Sequence, residues 1–128
     1  MEAVPAGSGR VLVVEDDEQL LVVTSAMLTE LGYEVLSARN GRDAIQMLKS
    51  DKGFDLLFSD VAMPQGMNGV ELAREAKRLR SGIKVLLTSG YAEDVLARHG
   101  ALDEFVVVRK PFYRADLARC LWSVLHEA

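Results

Sequence analysis

Four groupings in the chain carry the residue types needed to hold a cation and to handle a phosphoryl group: Glu15-Asp16-Asp17, Asp60, Thr88-Ser89-Gly90 and Arg109-Lys110-Pro111. If the fold brings them together, the carboxylates of Glu15, Asp16 and Asp60 repel one another, and one or more must protonate unless a cation compensates. Mg²⁺ suits such donors, because it favours oxygen, retains water and completes its shell with phosphate oxygens. Mn²⁺ shares the preference for oxygen and is an acceptable replacement. No His or Cys stands among these residues, which argues against zinc. A phosphoryl group in transfer spreads negative charge over its equatorial oxygens, so positioning and electrostatics do most of the catalysis. Lys110 would supply a point charge, Ser89 a hydroxyl donor and Asp60 the nucleophile. The product would be an acyl phosphate with roughly one further negative charge. Ser89, drawn towards that charge, would carry the Gly90-Tyr91 loop with it.

Taken singly, each grouping has an ordinary explanation. An acidic run usually caps a helix, an Asp after a strand usually opens a turn, Ser beside Gly is a turn former, and a Lys before Pro is a solvated charge. Their combined placement decides the matter. Short runs rich in β-branched or aromatic residues occur at 11–14, 33–37, 54–59, 85–88 and 105–109, nearly all apolar, as in strands buried on both faces. Between them lie helical periodicities: Leu20, Val23, Met27 and Leu31; Ala44, Ile45 and Leu48; Val70, Ala73 and Leu79; a shorter one near Val95 and Leu96; and Leu117, Leu121 and Val124. Asp17 is placed to cap the first helix and Gly32 to end it, while Asn40-Gly41 and Asn68-Gly69 supply turns before the second and third. Alternating β and α units imply a single doubly wound α/β domain with a parallel sheet, whose ligand site lies at the carboxyl ends of the strands. Every strand end but the second carries one of the reactive groupings, so separate bland explanations would have to coincide in one pocket.

The motifs VLVVEDD (11–17), FSDVAMP (58–64), LLTSGYA (86–92) and VVVRKPF (106–112) stand in an order and at a spacing that resemble the signatures of response-regulator receiver domains. The resemblance spans residues 10–126 and implies a flavodoxin-like (βα)5 fold with strand order 2-1-3-4-5. It also implies an acidic metal-binding pair at Glu15 and Asp16, a phosphorylated aspartate at Asp60, and a metal-binding backbone carbonyl at Ala62. Ser89 matches the hydroxyl that follows the phosphoryl group, and Lys110 the lysine that pairs with it. The partners it implies are a histidine kinase or histidine phosphotransfer protein as donor and an output protein of unknown identity, with the last strand and helix as a surface for homodimerisation. The family often has an aromatic switch residue three positions before the lysine; here that position is Val107, and Tyr91 or Phe105 would have to replace it. The loop 65–69 is one residue longer than the commonest form, as in receivers of hybrid sensor kinases. Ala62 and Tyr91 offer no water-activating group, which implies slow self-dephosphorylation.

The 128 residues, about half of them apolar, suffice for one core and not for two ordinary domains. The Ala6-Gly7-Ser8-Gly9 stretch marks residues 1–9 as a flexible tail and 10–126 as the domain. No segment is long and apolar enough for a membrane helix, and the chain carries no signal peptide pattern. One cysteine, Cys120, permits no internal disulfide and agrees with a cytoplasmic location. A net charge of −4 without a basic run gives nucleic acid nothing to bind. Leu21, Val22 and Leu28 broaden the apolar face of the first helix, either as ordinary burial between sheet and helix or, for some of them, as a place for the helices bearing a donor histidine to dock. Trp122 lies on the flank of the last helix, and His99 and His126 sit at helix ends, where a cation is favourable. Arg109, Arg114 and Arg119 with Asp103, Glu104 and Asp116 make a mixed-charge surface. Rival readings are a Mg-dependent phosphohydrolase, a flavin binder and a receiver-like docking module that takes no phosphate. The adjacent Glu15-Asp16, Ala62 in place of a second acid, and the acidic first loop argue against the first two. The sequence ends at Ala128 without an effector domain, so output is expected through a partner, or the chain is a fragment of a larger sensor.

Overall fold

The computed structural model describes residues 7–51, 53–63, 66–90 and 104–127. In chain order they form β1 (Arg10–Val14), α1 (Glu18–Glu30), β2 (Glu34–Ala38), α2 (Gly41–Ser50), β3 (Leu56–Asp60), α3 (Gly69–Leu79), β4 (Lys84–Ser89), β5 (Val106–Arg109) and α4 (Arg114–Leu125). All strand pairs are parallel, and the sheet order is β2-β1-β3-β4-β5, as expected from the resemblance. The helical pattern near Val95 and Leu96 falls outside the described residues.

The central strands are continuous apolar runs because helices cover both faces of the sheet. Leu12, Val14, Leu57, Val85 and Leu87 pack on one face against Ala44 and Leu48 of α2 and Val70, Ala73 and Ala76 of α3. Val11, Val13, Phe58, Leu86 and Val108 pack on the other against Leu21 and Leu28 of α1 and Leu117, Leu121 and Val124 of α4. The face of α1 differs from the stripe read in the sequence. Its buried residues are Leu21, Thr24 and Leu28, while Val22 and Val23 are 63% and 50% exposed. The segment EQLLVVTSAMLTE is apolar around most of its circumference, so periodicity does not mark the inward side, and packing on the sheet selects a face one residue further on.

The helices begin and end where local chemistry satisfies the backbone. Asp17 accepts the Leu20 amide at 3.1 Å, and Asn40 accepts that of Asp43 at 2.8 Å. Asn68 and Glu71 form a reciprocal capping box at the start of α3. Gly32, at φ +108°, closes α1: its amide donates to Thr29 and that of Tyr33 to Leu28, the paired bonds of a Schellman turn. The far end of the expected tail touches the fold, because the Gly7 amide donates to the Leu31 carbonyl at 2.8 Å and the Gly9 carbonyl accepts from Glu34.

One glycine bears directly on the carboxyl end of β3. Gly69 opens α3, donates its amide to the Val61 carbonyl at 2.9 Å, and lies so close to β3 that a Cβ there would stand 2.1 Å from the Asp60 carbonyl oxygen. Alanine would improve helix propensity but must push the Asp60 backbone aside. Gly69→Ala should therefore destabilise the protein by about 2 kcal/mol in urea unfolding; unchanged or increased stability would show that the contact is slack.

Candidate functional site

The acidic and basic groups reach the site from three strand ends, with Glu15 and Asp16 after β1, Asp60 at the end of β3 and Lys110 after β5. Directly after β1, the Glu15 amide donates to the Ala38 carbonyl at 3.2 Å, which prolongs the β1·β2 ladder and keeps Glu15 buried. Its Oε1 accepts the Asp17 amide at 3.2 Å, so the residue that caps α1 also orients the glutamate. Asp60, the last residue of β3, is 6% exposed; its Oδ1 accepts the Ala62 amide at 3.2 Å. Lys110 follows β5, tied to β4 by its amide, which donates to the Ser89 carbonyl at 3.0 Å. The Lys110-Pro111 peptide is cis.

These placements bring the ammonium of Lys110 to 3.0 Å from Asp60 Oδ2 and 3.4 Å from Glu15 Oε2. One carboxylate oxygen from each of Glu15, Asp16 and Asp60 lies within 4.8 Å of the others. Three acids thus share a largely dry corner with one ammonium, and the charges do not balance. Burial raises the Glu15 carboxyl, the charge of Asp60 raises it further, and the Asp17 amide and Lys110 only partly offset them, leaving it at about 7. Burial alone would lower Lys110, but its hydrogen bond to Asp60 and the charges of Asp60 and Glu15 outweigh that and raise it, so it stays an ammonium. The all-oxygen donor set with surplus negative charge fits a hard divalent cation such as Mg²⁺, with Glu15, Asp16 and Asp60 to hold it.

Ser89 ends β4 and is fully buried. Ala62 presents its amide to Asp60; its carbonyl is a metal ligand by resemblance alone. Phe105 and Val107 are half-buried and both pack against the core beneath α2 and α3. Tyr91, Pro64, Gln65, His99 and Asp103 lie outside the described residues. His126 caps the end of α4, with its ring stacked on Trp122 at 4.0 Å and Nδ1 2.8 Å from the Trp122 carbonyl. Trp122 itself is 43% exposed. The mixed-charge surface resolves into pairs: Arg114 with Glu30, Arg119 with Asp116, and Arg74 with Glu104. Sequence reasoning read Asn68-Gly69 as a turn and missed that Gly69 supports the backbone of Asp60. Beside Lys110 a groove of about 480 Å³ is lined by Leu20, Val23, Thr24, Met27, Pro111 and Phe112.

The profile of the response regulator receiver domain matches residues 11–121. The chain is 36% identical over 124 residues to the sensor kinase CckA of Brucella abortus (strain 2308), covering 95% of this chain and 13% of that protein. It is 34% identical over 117 residues to the response regulator receiver protein CpdR of the same organism, covering 91% of this chain and 96% of that one. It thus spans a small part of the kinase and nearly all of the regulator. Among solved structures, a response regulator receiver protein from Sinorhizobium medicae WSM419 superposes with a TM-score of 0.84 at 28% identity, covering 94% of this chain and 96% of that one. The response regulator protein TrrA from Thermotoga maritima, in complex with Mg²⁺-BeF, does so with a TM-score of 0.79 at 28% identity, covering 91% and 98%.

The raised Glu15 carboxyl has a definite sign in the stability of the metal-free protein. Unfolded, Glu15 loses its proton near 4.5; folded, near 7. Between those values the folded chain holds more protons than the unfolded one, so stability falls as pH rises through that window, by about 3 kcal/mol in total. Urea unfolding at pH 5 and pH 8 without divalent cations should show this fall in the parent chain and a smaller one in Glu15→Gln. Saturating Mg²⁺ should flatten it in the parent. Equal pH dependence of the two chains would reject the assignment.

Proposed function

The chain belongs to the response regulator receiver family of two-component signal transduction, and on that footing we propose that Asp60 accepts a phosphoryl group from a phosphohistidine donor in a Mg²⁺-dependent reaction. The observation that carries this reading is the Lys110 ammonium 3.0 Å from Asp60 Oδ2, beside three clustered carboxylates. An Asp60 oxygen attacks phosphorus, the bond from phosphorus to the donor imidazole nitrogen breaks, and its electron pair returns to the ring. Lys110, held protonated, offsets the charge on the transferring oxygens, and the Ser89 hydroxyl donates to one of them. The Ala62 amide, which already donates to Asp60 Oδ1, holds the carboxylate in orientation. Glu15, Asp16, Asp60 and the Ala62 carbonyl would hold Mg²⁺, or Mn²⁺ in its place, which would neutralise charge as two anionic groups are brought together.

The donor is a histidine kinase or a histidine phosphotransfer protein. Support comes from the groove beside Lys110 and from the exposed Val22 and Val23 on the adjoining helix, which suit the apolar flank of a helical bundle. Output passes to a protein partner or a second copy through β5 and α4, where Val106, Tyr113 and Trp122 are exposed. Val107 and Phe105, both half-buried, and Tyr91 are the candidate switch residues. Among the described residues no helix is long and apolar enough to cross a membrane.

Incubation with a small phosphodonor and Mg²⁺, followed by intact mass, should reveal one added phosphoryl group in the parent chain and none in Asp60→Asn. Chelation of the divalent cation should abolish the gain. No modification of the parent chain would favour a docking module that takes no phosphate. After removal of the donor the modified species should outlast seconds by a wide margin, because Ala62 offers no group to activate water; loss within seconds would refute that part.

A further inference from the structure

A second hydroxyl lies next to the phosphoacceptor and has no part in the scheme above. Thr88 is the ladder partner of Asp60 across β3 and β4, and its carbonyl accepts the Val61 amide at 2.9 Å. On its other side it pairs with Val108, two residues before Lys110. Thr88 is 2% exposed, and its Oγ1 has no hydrogen-bond partner among the described residues. Side chains alternate along a strand, so Thr88 shares the face of Leu86 and Val108, while Ser89 takes the opposite one.

That face is apolar. Valine has the same shape as threonine, the same stiffness at χ1 and at least the same preference for a strand. A buried hydroxyl without a partner costs free energy that valine would not. An oxygen kept in such a place fits a partner that arrives only in another state of the site. At rest the two oxygens of Asp60 are taken by the Ala62 amide and the Lys110 ammonium. Esterification would bring three new acceptor oxygens and roughly one further negative charge to the strand neighbour of Thr88.

We propose that Thr88 is a second hydroxyl donor to phosphorylated Asp60, unpartnered at rest and satisfied once the acyl phosphate forms. This rests on Asp60 being the phosphoacceptor. It differs from the role of Ser89, the last residue of β4, which borders the loop after the strand; Thr88 is paired on both sides, with Asp60 and Val108, and would act in place.

The test compares the parent chain with Thr88→Val and Thr88→Ser, each labelled with a small phosphodonor and Mg²⁺ and followed by intact mass, with urea unfolding of the unlabelled proteins alongside. Thr88→Val should label about five-fold more slowly, the loss expected for one hydrogen bond, yet unfold at no lower urea concentration than the parent. Thr88→Ser, which keeps the hydroxyl, should label within two-fold of the parent. Three outcomes would overturn the inference while leaving Asp60 as acceptor: parent-like labelling of Thr88→Val, labelling of Thr88→Ser as slow as that of the valine variant, or a valine variant less stable at rest. A parent chain that takes no phosphoryl group would overturn both readings together.

Discussion

Lys110 donates to Asp60 at 3.0 Å and to Glu15 at 3.4 Å, and in doing so it makes an otherwise repulsive corner tolerable. The bargain is incomplete. Glu15 holds a proton up to about 7, so near neutrality the site stands between two charge states. Glu15 and Asp60 are buried, so little water remains between them to screen their charges. A site in that condition responds to any added charge, whether a divalent cation or a phosphoryl group, by redistributing protons and hydrogen bonds. That responsiveness is what a switch requires, and in this protein it is concentrated where four strands end.

The rest of the fold maintains that imbalance. Parallel strands aim their carboxyl ends the same way, so groups 45 to 95 residues apart in sequence, Glu15, Asp60 and Lys110, meet at one edge of the sheet. Helices on both faces keep β1, β3 and β4 dry along their length, and the backbone at the strand ends is held by bonds that cross between neighbours: Glu15 to Ala38, Val61 to Thr88, Lys110 to Ser89. Rigid placement of mutually repelling groups costs stability, and the two apolar layers beneath supply the compensation.

The sheet was legible in the sequence because strands buried on both faces leave unbroken apolar runs, and the acids and lysine were legible because they interrupt those runs at their ends. Boundaries shifted by one or two residues, as with β2 at Glu34–Ala38 against an expected 33–37, since Tyr33 is as apolar as the strand it precedes and belongs instead to the turn after Gly32. The inward face of α1 was not legible, because a helix with Leu20, Leu21, Val22 and Val23 in succession offers more than one apolar side and only the sheet selects among them. Thr88 and Gly69 were noticed in the sequence, as part of a strand-end grouping and of a turn, but not for the contacts they make. The importance of each depends on a neighbour across the ladder or across a loop, and no local pattern carries that information.

The bond from Gly69 to Val61 draws together the two ends of the connection between β3 and α3, and the absent side chain of Gly69 lets the helix rest on the Asp60 carbonyl. A connection cinched at its neck can lengthen or shorten at its tip while the residue below the neck stays where it is. A change of length at that tip would reshape the rim without displacing the Asp60 backbone.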